Sequence, residues 1–188
     1  MMNILETPRL ILRTWTEQDI DPMTAIDQDP EVCKYLPSIG NREGTTARIK
    51  HAIDHYKKHG FCTYAVELKS THEMIGFLGL NIPSFQAHFT PCIEIGWRLS
   101  SKHWNQGYAT EGAKAVLEYA FNHLNLDEIV SFTVVDNQAS RRVMEKIGMH
   151  HNPNDDFDHP KLTPDSPLSR HVLYRINKYD YINSLTNV

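Results

Sequence analysis

The chain has only three cysteines in 188 residues, and Cys33, Cys62 and Cys92 lie far apart. An odd, scattered set cannot form a disulfide framework, so the thiols are expected to be reduced, in a cytoplasmic protein. Long apolar runs are missing too; the longest fall well short of the ~20 residues that cross a bilayer. The N-terminal MMNILETPRL has neither the basic region nor the apolar region of a signal peptide. Positive charge is not in excess: 19 Lys and Arg stand against 23 Asp and Glu, a formal net charge of −4. Nothing global would therefore attract nucleic acid or an anionic membrane. Internal repeats and low-complexity tracts are absent. What is present is an ordinary globular composition, 40% hydrophobic and 22% charged, with enough length for a real core.

Arg9 to Thr14 reads as the first strand, after the turn signal Thr7-Pro8. Thr16 with Asp19 resembles a capping box, opening a short helix that stops before Asp29-Pro30. A second helix spans Gly44 to His59, with Gly60 as its stop. On it, His51, His55 and His59 have the spacing of a zinc helix. Lys50, Lys57 and Lys58 crowd the same helix, and no Cys or carboxylate completes a metal set, so a solvated face without metal is expected. Phe61 to Leu68 and Met74 to Ile82 read as strands around a turn at Lys69 to His72, and Ser84 to Pro91 as the next connection.

The strand Cys92 to Leu99 follows, with Ile93, Ile95 and Trp97 on one face and Cys92, Glu94 and Gly96 on the other. A carboxylate midway along an apolar strand is costly unless paired or facing a wet cleft. Glu94 is thus either a site residue or a salt-bridged structural one. Gly96 suggests a bulge or a close ligand approach. Then comes Trp104-Asn105-Gln106-Gly107-Tyr108-Ala109-Thr110-Glu111, leading into a helix over Gly107 to Leu124. A small-residue turn between strand and helix leaves N–H groups outward at the positive end of the helix dipole, an anion site suited to a pyrophosphate. Beyond it, Ile129 to Val135 reads as a buried strand. Asp136-Asn137 opens a helix with Ala139, Val143 and Ile147 on its apolar side, ended by Gly148. Leu168 to Lys178 reads as the last strand. Asn152 to Pro167, with four prolines and Asp155, Asp156, Asp158 and Asp165, is a long surface loop.

Four segments, TPRLILR, EIGWRLSSKHWNQGYATEG, VVDNQASRRVMEKIGM and HVLYRI, resemble in order and spacing the GNAT N-acetyltransferases. The branch they resemble includes the ribosomal-protein alanine N-acetyltransferases. The likeness runs from Thr7 to Tyr179. It implies an α+β fold in a single domain over residues 7–179: a mixed, mostly antiparallel twisted sheet flanked by helices, with a cofactor cleft between two splayed central strands. It implies acetyl-CoA as co-substrate, a primary amine as acceptor (a protein N-terminus or a small molecule), and direct attack in a ternary complex. The backbone at Trp97, Arg98 and Leu99 would meet the thioester and pantetheine arm. Asn105, Gln106, Gly107, Tyr108, Ala109 and Thr110 would grip the pyrophosphate, Trp104 standing where the family signature has Gln or Arg. Glu94 would be the general base. Asn137 would bind the pantetheine and Ser140 protonate the leaving sulfur, although a helix cap and a first-turn polar residue account for both as well.

Around that centre, His159 is a candidate base or a solvated loop residue, and the Asp155–Asp158 acids would draw a cationic acceptor. Arg141 and Arg142 would reach cofactor phosphates or solvate a helix face. A homodimer is the family expectation. Two other functions compete with this one: a non-catalytic acyl-CoA-binding module of the same fold, and a dinucleotide oxidoreductase, which the lack of G-x-G-x-x-G disfavours.

Overall fold

The computed structural model describes residues 1–186. The chain forms two compact units, residues 1–81 with 96–116, and residues 82–95 with the chain from 117 onward.

In the first unit β1 (Asn3–Glu6), β2 (Leu10–Arg13), β3 (Thr63–Leu68) and β4 (Met74–Asn81) pair in succession, all antiparallel. The sequence reading starts its strands at Arg9 and misses β1, a partly covered edge of four residues too short for a periodic signal. β3 and β4 are buried almost throughout, which explains their near-continuous apolar runs. α1 (Ile20–Asp27) packs on β4 and on α3 (Arg42–His59), with the short α2 (Pro30–Cys33) between them in the chain.

The box at Thr16 forms: its N–H and hydroxyl donate to Asp19 Oδ2 at 2.8 and 2.9 Å. Asp19 also receives both Arg13 Nη groups, at 2.9 and 2.8 Å, while Arg13 Nε donates to Glu67 at 2.7 Å. Register explains the last contact: Ile11 faces Glu67 and Arg13 faces Ala65, so Arg13 and Glu67 are diagonal neighbours on one face. Asn41 caps α3, accepting from Gly44 N–H at 2.8 Å, and Gly60 ends it at φ 78°. The histidine face of α3 is not wholly solvated, as the lysines suggested. His55 is buried, its Nδ1 2.7 Å from Phe61 O, because the rings of His59 and Phe61 close over it.

Two elements change unit within their length, β5 (Glu94–Leu99) and α4 (Tyr108–Asn122). In the second unit β5 meets β6 (Glu128–Val134) in parallel at Glu94↔Val130. β6 is paired antiparallel along its length with β9 (Arg170–Asn177), whose other side holds β7 (His150–His151) and β8 (Phe157–Asp158). β8 is a two-residue strand inside the stretch read as loop, and the two-residue β7 lies just before that stretch. Phe89, Val130, Phe157 and Leu173 form the core here, with Phe85 and Phe132 against it. α5 (Gln138–Lys146) follows β6; on it Ala139 is exposed and Met144 carries the burial. A last helix, α6 (Lys178–Thr186), follows β9 with Asn177 as its cap, accepting from Asp180 N–H at 2.8 Å. Its polar sequence has little amphipathic pattern, and only the Asn177-x-x-Asp180 cap announces it. Among the described residues no helix is long and apolar enough to cross a membrane.

Candidate active site

The turn before α4 is built by two left-handed residues, Asn105 at φ 60° and Gly107 at φ 83°. They rotate the backbone so that successive amides face outward. The N–H groups from Asn105 to Thr110 have no partner among the described residues, while Glu111 N–H already bonds to Gly107 O at 2.9 Å. Asn105, Gln106 and Gly107 are exposed. This is a row of unpartnered donors at the positive end of a helix.

Arg9 fastens that row from below. Its Nη1 donates to Gln106 O at 2.9 Å and its Nε to Glu111 Oε2 at 2.6 Å, and its guanidinium lies 4.4 Å from the centre of the Tyr108 ring. Glu111 Oε1 accepts from Thr7 Oγ1 at 2.6 Å and from Arg9 N–H at 2.9 Å. Burial alone would raise the Glu111 carboxyl, but these donors hold it below the usual carboxylate range. The sequence reading gave Arg9 and Glu111 no role. A lone charge opening an apolar strand was the available signal. Trp104, standing at the Gln or Arg position, does other work: its indole N–H donates to Leu99 O at 2.8 Å, tying the turn to the end of β5.

The side chain of Arg98 runs to Asp27, Nη1 to Oδ1 at 2.7 Å, and Arg48 pairs with the other oxygen. Thr45 Oγ1 donates to Asp27 Oδ2 at 2.5 Å. Burial works to raise Asp27, and these donors more than offset it, so its carboxyl is lowered.

In the second unit Glu94 has no hydrogen-bond or ion-pair partner among the described residues. Part of its surface stays open to solvent, yet its carboxyl is desolvated, which pushes its pKa up to about 8. Cys92, two residues earlier, is pushed up to about 11 by burial and by the Glu94 charge, which makes it a poor nucleophile.

Asn137 caps α5: its Oδ1 accepts from Ser140 N–H at 3.2 Å, and its Nδ2 donates to Thr133 Oγ1 at 3.0 Å. Ser140 is half-buried, its hydroxyl unpartnered among the described residues. Arg141 is tied within the unit, to Val135 O at 3.1 Å and Tyr174 Oη at 3.3 Å, whereas Arg142 is exposed.

His159 is half-buried among other rings rather than free in solvent. Its ring lies 4.7 Å from Phe85 and 5.1 Å from His171, and burial, reinforced by His171 and Lys161, lowers its pKa. The acids expected to draw a cationic acceptor have partners within the unit. Asp155 pairs with Arg175 at 2.8 Å, Asp156 meets His151 at 2.7 Å and Asp158 pairs with Arg170 at 3.5 Å. The partner side chains come from the paired strands β7 and β9. Among the described residues no group of three or more His, Cys, Asp or Glu could hold a metal.

Residues 9–150 match the family model described as acetyltransferase (GNAT) domain. The chain belongs to the GNAT acetyltransferase family. This GNAT protein is 33% identical over 150 residues to the uncharacterized N-acetyltransferase YoaA of Bacillus subtilis, 79% of this chain and 83% of the relative. A GNAT-family acetyltransferase from Bacillus anthracis superposes with a TM-score of 0.77 at 27% identity, covering 95% of this chain and 99% of that one. RimL, the ribosomal L7/L12 alpha-N-protein acetyltransferase solved in complex with coenzyme A, shares the fold at a TM-score of 0.75 and 17% identity, covering 94% and 98%. The GNAT chain is therefore an N-acetyltransferase with a mixed, mostly antiparallel sheet flanked by helices.

Proposed function

We propose that the protein transfers the acetyl group of acetyl-CoA to a primary amine by direct attack in a ternary complex. The observation that carries this is the row of unpartnered N–H groups from Asn105 to Thr110, braced by Arg9. A pyrophosphate fits that row because its oxygens accept several amide bonds at once and its charge meets the helix dipole. The backbone at Trp97, Arg98 and Leu99 would lie along the pantetheine arm and donate to the thioester oxygen as negative charge develops there.

Glu94 takes the proton of the acceptor ammonium. A carboxyl raised to about 8 is matched to an amine far better than an ordinary one. The freed amine attacks the thioester carbon, the C–N bond forms, the C–S bond breaks, and the surplus proton on the attacking nitrogen passes to the leaving thiolate by way of the Ser140 hydroxyl. Asn137 would bind the pantetheine chiefly through backbone it positions, since both ends of its amide are engaged as a cap.

Thiol release from acetyl-CoA across N-terminal peptides, polyamines and small amines tests the reading. Release with at least one amine is expected; tight acetyl-CoA binding with no release for any of them would favour a non-catalytic module. Acetyl-CoA affinity of Asn137→Ala and turnover of Ser140→Ala separate cofactor roles from capping.

A further inference from the structure

One cavity in the first unit is charged in a way the reaction above does not use. It measures about 280 Å³, walled by the turn from Leu36 to Asn41, by Gly44, Thr45 and Arg48 of α3, and by Arg98 of β5. Two guanidinium groups line it and no acidic side chain does. Asp27 lies beneath, 1% exposed, and must serve both arginines, leaving one positive charge over. Each arginine shows a hydrogen bond only to Asp27 among the described residues, so most of its N–H groups are unspent. Both stand over the ring of Phe77, Arg48 at 5.6 Å and Arg98 at 5.4 Å from its centre. Burial, together with the charge of Arg48, lowers the Arg98 pKa, the signature of cations short of a counter-ion. Gly40 makes the cavity wall: a Cβ there would stand 2.6 Å from Asp27 Cβ, and its N–H bonds to Asp27 O at 2.9 Å.

We infer that this cavity receives an anionic group of the acyl acceptor, a carboxylate or a phosphate ester, held bidentately by Arg48 and Arg98. The volume is that of roughly nine waters, room for a carboxylate or phosphate with its adjoining carbons. A guanidinium fork suits both anions. The inference rests on the acyltransferase reading for the word acceptor, but the anion site itself does not.

The test has two arms. In the first, sodium phosphate and sodium acetate are titrated separately at constant ionic strength into the protein, Arg48→Gln and Arg48→Lys, followed by amide NMR shifts. Arg48→Gln leaves Asp27 paired with Arg98 and Thr45, so the fold is kept. Saturable shifts at Gly40, Gly44 and Thr45 are expected, lost in Arg48→Gln and partly kept in Arg48→Lys; the stronger titrant names the anion. In the second arm, turnover is compared for matched amines: amino acids against their amides, phosphoethanolamine against ethanolamine. The anionic member is expected to be favoured in kcat/KM by roughly tenfold or more, with Arg48→Gln erasing the preference through KM. Identical titrations in the protein and Arg48→Gln overturn the anion site, whatever the turnover. Saturable anion binding without thiol release on any amine keeps the site and sinks the acyltransferase reading instead. Turnover indifferent to the anion overturns the acceptor assignment.

Discussion

Glu94 joins stability and chemistry in one side chain. Its folded pKa of about 8 stands above the ordinary carboxyl value of 4.5 because the carboxyl is desolvated. Below pH 4.5 the group is protonated whether or not the chain is folded, and it costs nothing. As pH rises towards 8 the unfolded chain ionises first, so the folded state loses stability across that window and carries a constant penalty above it. Glu94→Gln should therefore be more stable than the parent in urea at pH 8.5 and nearly equal to it at pH 4. The same substitution should lower kcat/KM by about a hundredfold and flatten a profile that in the parent rises through pH 8. Full turnover by the variant across neutral pH would remove Glu94 from the mechanism. In the sequence, Glu94 was legible as an odd carboxylate in an apolar strand, but pairing and exposure were not, because both depend on distant segments.

At the scale of elements, the donor turn is a small machine of β2, its preceding loop and α4. Gly107→Val forces a β-branched residue to φ 83° and sets its Cβ 3.4 Å from Arg9 Nη2, straining both the turn and its brace. Acetyl-CoA affinity should fall roughly tenfold or more, read by calorimetry, with the thermal melt showing that the fold persists. Arg9→Ala removes only the brace, and because that arginine is half exposed the loss should be smaller, about three- to tenfold. Unchanged affinity in both variants would detach the turn from the cofactor.

Long, periodic elements were readable: the helices ending at Gly60 and Gly148, the strands at Phe61 to Leu68 and Ile129 to Val135, and the turn itself. The short pieces β1, α2, β7 and β8 were not, since two to four residues carry no period and exist only through their partners. Arg9, Asp27 and Arg48 escaped for a related reason. Their significance is a convergence in space of residues far apart in the chain.

At the scale of the molecule, the two units should answer acid through different groups. The first holds Asp19, Asp27 and Glu67, buried carboxyls that desolvation would raise but that arginine and hydroxyl donors lower instead. Lowered carboxyls contribute stability above their unfolded values, and that contribution is lost as pH falls through the folded ones. In the second unit acid neutralises Glu94 but also charges His159 and His171, whose folded pKa values burial lowers, so relief and penalty oppose each other there. Hydrogen exchange compared at pH 7 and pH 3.5 should show protection falling in β2, β3 and α1. Undiminished protection in those three elements would refute this account of the first unit. None of it is visible in the net charge of −4, which sums over groups whose surroundings differ.

The bond from Trp104 to Leu99 has an optical consequence. Trp15 is buried, with its indole donating to Thr63 O at 2.7 Å, whereas Trp104 is 39% exposed beside the donor turn. With three tryptophans in the chain, emission from the exposed indole is separable by its longer wavelength and its sensitivity to iodide. A ligand settling on the turn should shift or quench that emission, and Trp104→Phe should abolish the change. The protein thus carries its own reporter of donor binding, readable without a label and without any acceptor in hand.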